Sequence, residues 1–353
     1  MLNSSGIGTY LQNLLPRLLQ ARPRYTFHLL GDLIQLEKFA WSRSDNASLI
    51  RCTAPIYSIA EQVQLSAATP RDTELFWAPH YNIPLRAPGK LMVTVHDLSH
   101  LALPEFVHGV HRRLYARFMF GALRRRASAI VTSSYFTAHE FARLVGHTEP
   151  PPRPVHLGID ESWFRVRPVC RPHESPFLLF VGNVKPHKNL IALLQAFQTI
   201  RHTIPHDLVI VGRREGFITG DSRSIELAER LRERVHFTGT IETPRLEQYM
   251  AFADALILPS LYEGFGLPPL EAMACGCPVI VSNVASLPEV CGDAALYCDP
   301  RSSDDIAARI VQLLRDAELR AALRQKGRTR AASYSWDTCT EQTLGVIDEL
   351  LRT

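Results

Sequence analysis

The sequence predicts an α/β protein of two domains, each built on a mostly parallel sheet. Three observations carry this. Short apolar runs bounded by turn residues alternate with segments of helical character along the whole chain, as expected when helices connect parallel strands. The 353 residues are 46% hydrophobic, enough for two cores of ordinary size. A segment rich in proline and polar groups, 168–176, has the composition of a linker. The expected domains are therefore 1–168 and 169–336, followed by a last helix over 337–353.

Composition narrows the function classes. A net charge of only +4 argues against a nucleic-acid partner. The seven cysteines include no Cys-x-x-Cys pair, and no histidine cluster has zinc-ligand spacing, so they are expected to be reduced thiols in a cytoplasmic protein. Neither a signal peptide nor an apolar run of ~18 residues is present, so no spanning segment is expected.

The chain starts with Ser4-Ser5-Gly6-Ile7-Gly8, which reads as a loop entering a helix with Leu11, Leu14, Leu15, Leu18 and Leu19 on its apolar face. Pro16 should weaken that helix. Strands are expected at 25–30, 49–54, 74–78, 90–96 and 129–133, with a Pro/Gly/Asn-rich loop between the third and fourth. The fourth ends in His96-Asp97, and the carboxyl end of a parallel strand is the usual place for ligand groups. Residues 110–126 hold six arginines among aromatic and aliphatic side chains. Two readings stay open there, a helix lying on anionic lipid and an ordinary domain helix with snorkelling arginines.

The second half opens with an expected strand at 177–181, then Gly182-Asn183 and a loop ending in Lys188-Asn189, where Asn189 is placed to cap the next helix. A lysine just before a capped helix suits a phosphate, although a lone lysine is also simply a surface residue. Strands at 207–212 and 235–240 follow, with Arg213 and Arg214 after the first of them. Then comes DALILPSLYEGFGLPPLEAMACGCPVIVSN, 254–283, which reads as strand, glycine loop, helix, strand. Glu263 and Glu271 are separated by seven residues. Gly264 and Gly266 allow close backbone approach to a ligand, and Pro268 and Pro269 suit a first helical turn. The helix start near Leu267 offers amides to an anion, and an ionised glutamate can accept from two sugar hydroxyls. A solvated loop acid and a helix-start carboxylate are the plainer explanation of either glutamate alone.

EGFGLPPLEAMACGCPVIVSN resembles the E-x7-E signature of retaining glycosyltransferases of family 4, which have the GT-B fold of two Rossmann-like domains facing across a cleft. The resemblance extends over nearly the whole chain and is strongest over 177–300. It implies that the last helix crosses back to the first domain, that 155–160 is the last strand of that domain, and that a strand precedes the Gly6-Ile7-Gly8 loop. The chain begins in that loop, so a first sheet lacking its usual first strand is expected, unless another strand takes its place. The resemblance further implies donor contacts from Gly6, Gly8, Gly182, Asn183, Arg213, Gly264, Phe265, Gly266, Leu267 and Glu271. It places His96, oriented by Asp97, beside the donor sugar, Lys188 on the diphosphate, and Glu263 on the transferred sugar. Family members commonly have arginine where Asn183 stands; Lys185, His187 or Arg213 would then supply the second cation. No Asp-x-Asp occurs, so no metal and no cofactor are expected.

The look of HYNIPL, VHDLSHL and VGNVKPHKNL resembles bacterial mannosyltransferases of surface-polysaccharide assembly. The implied reaction is transfer of a hexose, mannose from GDP-mannose, to a glycan or polyprenyl-linked acceptor, in the cytoplasm or at the inner face of the membrane. A non-catalytic nucleotide-sugar binder and a GT-B epimerase or phosphorylase remain the alternatives.

Overall fold

The computed structural model describes residues 5–106, 109–213 and 221–352. They divide into two compact units, one made of Met1–Leu101, Arg113–Gly158 and Trp336–Thr353, the other of Ala102–Arg112 and Ile159–Ser335.

The chain begins with α1 (Ser5–Ala21), β1 (Phe27–Gly31), α2 (Leu33–Leu36), β2 (Ala47–Arg51), α3 (Ile59–Ala68), β3 (Leu75–Ala78) and β4 (Lys90–Val95). After α4 (Ser99–Ala102) and α5 (Val110–Arg126) come β5 (Ala129–Thr132), α6 (Tyr135–Leu144) and β6 (Arg153–Pro154). Gly6 and Gly8 belong to the first turn of α1, not to a loop before it. The helix also runs through Pro16, because Tyr10, Leu14 and Leu18 form a face that is 0–1% exposed, and such burial outweighs one lost backbone bond. Of this segment only Arg153–Pro154 pairs with β5; 155–160 is not the expected strand, and Ile159 already belongs to the second unit, within which it bridges to Ser335.

The strands of the first unit form two sheets, the four-stranded β3-β4-β5-β6 and the pair β1-β2, all parallel. Among the described residues β1 pairs only with β2 and β3 only with β4, leaving each with one unpaired edge. Both strands line the same cavity of about 1030 Å³, together with Leu11, Leu15 and Leu18 of α1.

The second unit contains β7 (Phe177–Val181), α7 (Leu190–Ile200), β8 (Asp207–Val211), α8 (Ser222–Arg230), β9 (Val235–Gly239), α9 (Thr243–Phe252) and β10 (Ala255–Leu258). It continues with α10 (Leu267–Ala274), β11 (Val279–Ser282), α11 (Leu287–Cys291), β12 (Leu296–Cys298), α12 (Ser303–Arg315) and α13 (Ala317–Ala332). Its six strands are parallel in the order β12-β11-β10-β7-β8-β9. Every residue of β7, β8, β10 and β11 is buried, which explains their reading as continuous apolar runs. The proline-rich 168–176 lies inside this unit. The final helix, α14 (Trp336–Arg352), belongs to the first unit, where Lys90 Nζ donates to the Leu350 carbonyl at 2.7 Å and Arg153 pairs with Glu349 at 2.5 Å.

Candidate active site

The strand order of the second unit runs outward in opposite directions from the β7/β10 pair. At such a switch point the loops leaving the two strands diverge and open a crevice at their carboxyl ends, where α/β sheets bind ligands. Lys188 follows β7 and Glu263 follows β10, and the structure joins them: Lys188 Nζ donates to Glu263 Oε1 at 2.6 Å. Their side chains are 18% and 12% exposed, so the pair is largely shielded yet still reached by solvent. Ser260 Oγ donates to the same Glu263 oxygen at 2.7 Å, and the Leu261 amide bonds the His187 carbonyl at 2.8 Å. Two residues absent from the sequence reading thus position Glu263: Ser260, and Ser286, whose hydroxyl donates to the Glu263 and Phe265 carbonyls at 2.9 and 2.7 Å. A serine three residues ahead of a loop glutamate was a usable signal for the first; the second comes from a distant segment and left none.

Gly266 sits just before α10 with φ of 115°, and a Cβ there would lie 2.8 Å from Leu287 Cδ2. Only glycine fits both the backbone and the space. Pro268 and Pro269 carry no N–H, and the Leu270 amide makes the first bond of the helix ladder, so Gly266 and Leu267 supply the amides at this helix start. Phe265 is 5% exposed and packs edge-on against Tyr334 at 5.7 Å, so it can offer a donor its backbone but not its ring. Gly264 and Leu267 are likewise buried. Glu271, one turn into α10, has its carboxyl pushed up to about 7 by burial alone. Near neutral pH it exists in both forms, and either can bond a hydroxyl.

After β7, the Gly182 amide bonds the Val211 carbonyl at 2.9 Å, and the Asn183 side chain accepts from the Arg213 amide at 3.2 Å. Gly212 makes this crossing possible: its Cβ would lie 2.1 Å from the Gly182 carbonyl oxygen. The structure therefore brings Asn183 and Arg213 together, with the Arg213 side chain exposed; Arg214 lies outside the described residues. Asn189 occupies the N-cap position of α7, but its side chain makes no capping hydrogen bond. It is left-handed at φ 57°, and its side-chain Nδ2 donates to the Pro259 and Pro300 carbonyls at 2.9 and 2.7 Å, tying the loop of Lys188 to the end of β10.

In the first unit, His96 follows β4. Its Nε2 bonds the Pro79 carbonyl at 3.1 Å, which requires the proton on Nε2, and Tyr10 meets the ring edge-on at 4.8 Å. Burial pushes the imidazole below its ordinary range, against smaller upward pulls from the Asp97 charge and the Pro79 carbonyl, which favours the uncharged ring. Asp97 Oδ1 accepts from the Ser99 amide at 2.9 Å and hydroxyl at 2.6 Å, and its charge acts on the neighbouring His96 ring. Gly6 is exposed and Gly8 buried in α1.

One cluster was not visible in residue spacing. His173, Asp207 and His236 place potential ligand atoms within 4.8 Å of one another at the amino-terminal ends of β7, β8 and β9. Asp207 already has a cation, however: Arg234 Nε donates to its Oδ1 at 2.6 Å, and His173 Nε2 contacts its Oδ2 at 2.8 Å. Burial raises the Asp207 carboxyl, but hydrogen bonds from His173, Arg234 and Ser175 outweigh it and hold the group below its ordinary value. The arrangement is that of a compensated buried acid. All seven cysteines are free thiols.

A parallel sheet of this order, with a lysine and a glutamate meeting at its switch point beside a glycine-opened helix, is a Rossmann-like unit whose crevice presents groups suited to an anion and a polyol. Residues 164–330 match the family described as Glycosyl transferases group 1. Over 285 residues the chain is 33% identical to O-antigen chain mannosyltransferase B of Escherichia coli, covering 76% of this chain and 73% of the relative. It is 28% identical over 248 residues to O-antigen chain mannosyltransferase RfbU of Salmonella typhimurium, 69% of this chain and 66% of that one. The chain belongs to the group 1 glycosyltransferases. Among solved structures, Anabaena HepE in complex with UDP-glucose is similar with a TM-score of 0.78 over 99% of this chain and 97% of that chain, at 18% identity. The sucrose-phosphate synthase of Thermosynechococcus elongatus gives a TM-score of 0.74 at 22% identity, over 88% of this chain and 85% of that chain. The fold is GT-B, and the protein is a glycosyltransferase.

Proposed function

We propose that this glycosyltransferase takes mannose from GDP-mannose and adds it, with retained configuration, to a glycan or polyprenyl-linked glycan of a surface polysaccharide. The reading assigns it to family 4 and to the cytoplasmic side of the membrane. The mannosyl and polysaccharide parts rest on the relatives, which are named as O-antigen and serotype-specific mannosyltransferases. The observation that carries the chemistry is the Lys188–Glu263 pair at the switch point. An incoming diphosphate competes with Glu263 for the ammonium of Lys188, and the freed carboxylate then takes hydroxyls of the transferred sugar. Donor binding thus assembles the site. Catalysis follows as the diphosphate leaves an oxocarbenium-like sugar: Lys188, a second cation among Lys185, His187 and Arg213, and the amides near Leu267 stabilise the growing negative charge. The leaving oxygen accepts the acceptor proton on the same face, so no protein nucleophile, metal or cofactor takes part.

Transfer from GDP-mannose and from UDP-glucose to lipid-linked glycan acceptors, with and without excess chelator, tests this reading. An α-mannosylated product formed equally with chelator is the expected outcome. Glucose transfer would correct the donor, and loss of activity restored by Mg²⁺ would overturn the metal-free mechanism. Binding without turnover would favour a nucleotide-sugar binder, and release of an epimerised sugar or a sugar phosphate would favour an epimerase or phosphorylase.

A further inference from the structure

Exposed apolar side chains scattered singly over a surface need no explanation, but here they gather. Of ten large hydrophobic side chains exposed among the described residues, seven lie on 56–63 or on α5. Ile59 and Val63, one turn apart on α3, are 86% and 64% exposed; Leu114 and Phe118, one turn apart on α5, are 58% and 59% exposed.

A buried network fastens the two elements together. Glu61 of α3 accepts from the Tyr57 amide at 2.7 Å and from Asn82 Nδ2 at 2.6 Å, and Tyr115 of α5 donates to Asn82 Oδ1. The Tyr57 and Tyr115 rings meet edge-on at 5.8 Å. Tyr57 holds a left-handed φ of 69°, unusual for an aromatic residue, and the residue stays 47% exposed. The network leaves both apolar stripes outside it.

The charge beside these stripes has one sign. Helix α5 carries six arginines and no acid, and the one acid of α3, Glu61, is buried. Arg117 and Arg125 are exposed and share the helical face of Leu114 and Phe118. Snorkelling arginines would cover apolar side chains with their stems, yet Leu114 and Phe118 remain open to solvent.

We propose that α3 with the turn before it and the exposed face of α5 form a surface that seats this unit on an anionic lipid bilayer. Ile59, Val63, Leu114 and Phe118 enter the headgroup boundary, while Arg117 and Arg125 meet lipid phosphates. The proposal deepens the membrane side of the function proposed above; its test reads binding and not transfer, so the two can fail separately.

Co-sedimentation of the full chain with phosphatidylglycerol-containing vesicles and with pure phosphatidylcholine vesicles tests it. Binding is expected to the first, weakening with salt, and only weakly to the second. Ile59→Asp/Phe118→Asp should reduce binding at least tenfold. Arg117→Gln/Arg125→Gln should reduce it about fivefold per arginine, and both variants should keep the wild-type melting temperature. No binding to anionic vesicles, equal binding to both compositions, or unchanged binding by the folded variants would overturn the proposal. So would a patch-dependent dimer in sedimentation velocity that does not bind vesicles.

Discussion

Among the described residues Lys188 and Glu263 are each other's ion-pair partner, with side chains only 18% and 12% exposed. Removing one leaves the other poorly solvated, a cost of about 3–5 kcal/mol for a fully buried pair and on the order of 2 kcal/mol for one still partly exposed. Lys188→Ala should therefore lower both turnover and melting temperature, the first by roughly a hundredfold or more. Adding Glu263→Gln should restore much of the stability and none of the turnover. If Lys188→Ala loses activity with unchanged stability, the pair seen here does not hold in solution. Glu271 gives a pH signature instead. Its carboxyl, ordinarily near 4.5, titrates at about 7 in the folded chain, so between these values the native state keeps a proton that the unfolded chain has lost. Stability from this group is present below pH 4.5 and falls as pH rises to about 7. Glu271→Gln should flatten that part of the profile, with melting temperatures matching wild type at pH 4 and exceeding it at pH 8. Equal slopes for the two proteins would show that Glu271 is not the residue responsible. The positions of the glutamates, Lys188 and His96 in the fold were legible in the sequence, because each stands just past a strand or near a helix start. Ser286 and the Asn189 bridges were not, because their partners are separated from them by 21 residues or more.

At the scale of elements, parallel strands buried on both faces announce themselves as apolar runs, and β7 matches the sequence reading residue for residue. The two-residue β6 has no such run, and its pairing was read instead into the more apolar 155–160. The crossing of the turns after β7 and β8 depends on a single missing side chain. A Cβ on Gly212 would collide with backbone, which cannot move aside as a flexible side chain would. Gly212→Ala should displace Gly182, Asn183 and Arg213 together, at a cost of about 1–3 kcal/mol. The melting temperature should fall by about 2–4 °C per kcal/mol, and titration calorimetry should show weaker nucleoside-diphosphate binding. Wild-type affinity in this variant would place the nucleotide away from these turns.

Across the whole molecule, the two units differ in how their strands are supported. In the second, six strands form one continuous sheet whose central members have no free edge. The first contains a pair, β1-β2, separate from the other four strands and flanked by a cavity. A two-stranded ribbon is marginal on its own, so β1 and β2 hold their place through α1 and the short helices around them. Local openings of a native protein begin where fewest contacts must be broken. The β1-β2 ribbon is therefore expected to detach as a small cooperative unit while β3 to β6 and the six-stranded sheet stay folded, so amides of 27–51 should exchange with solvent before those of either larger sheet.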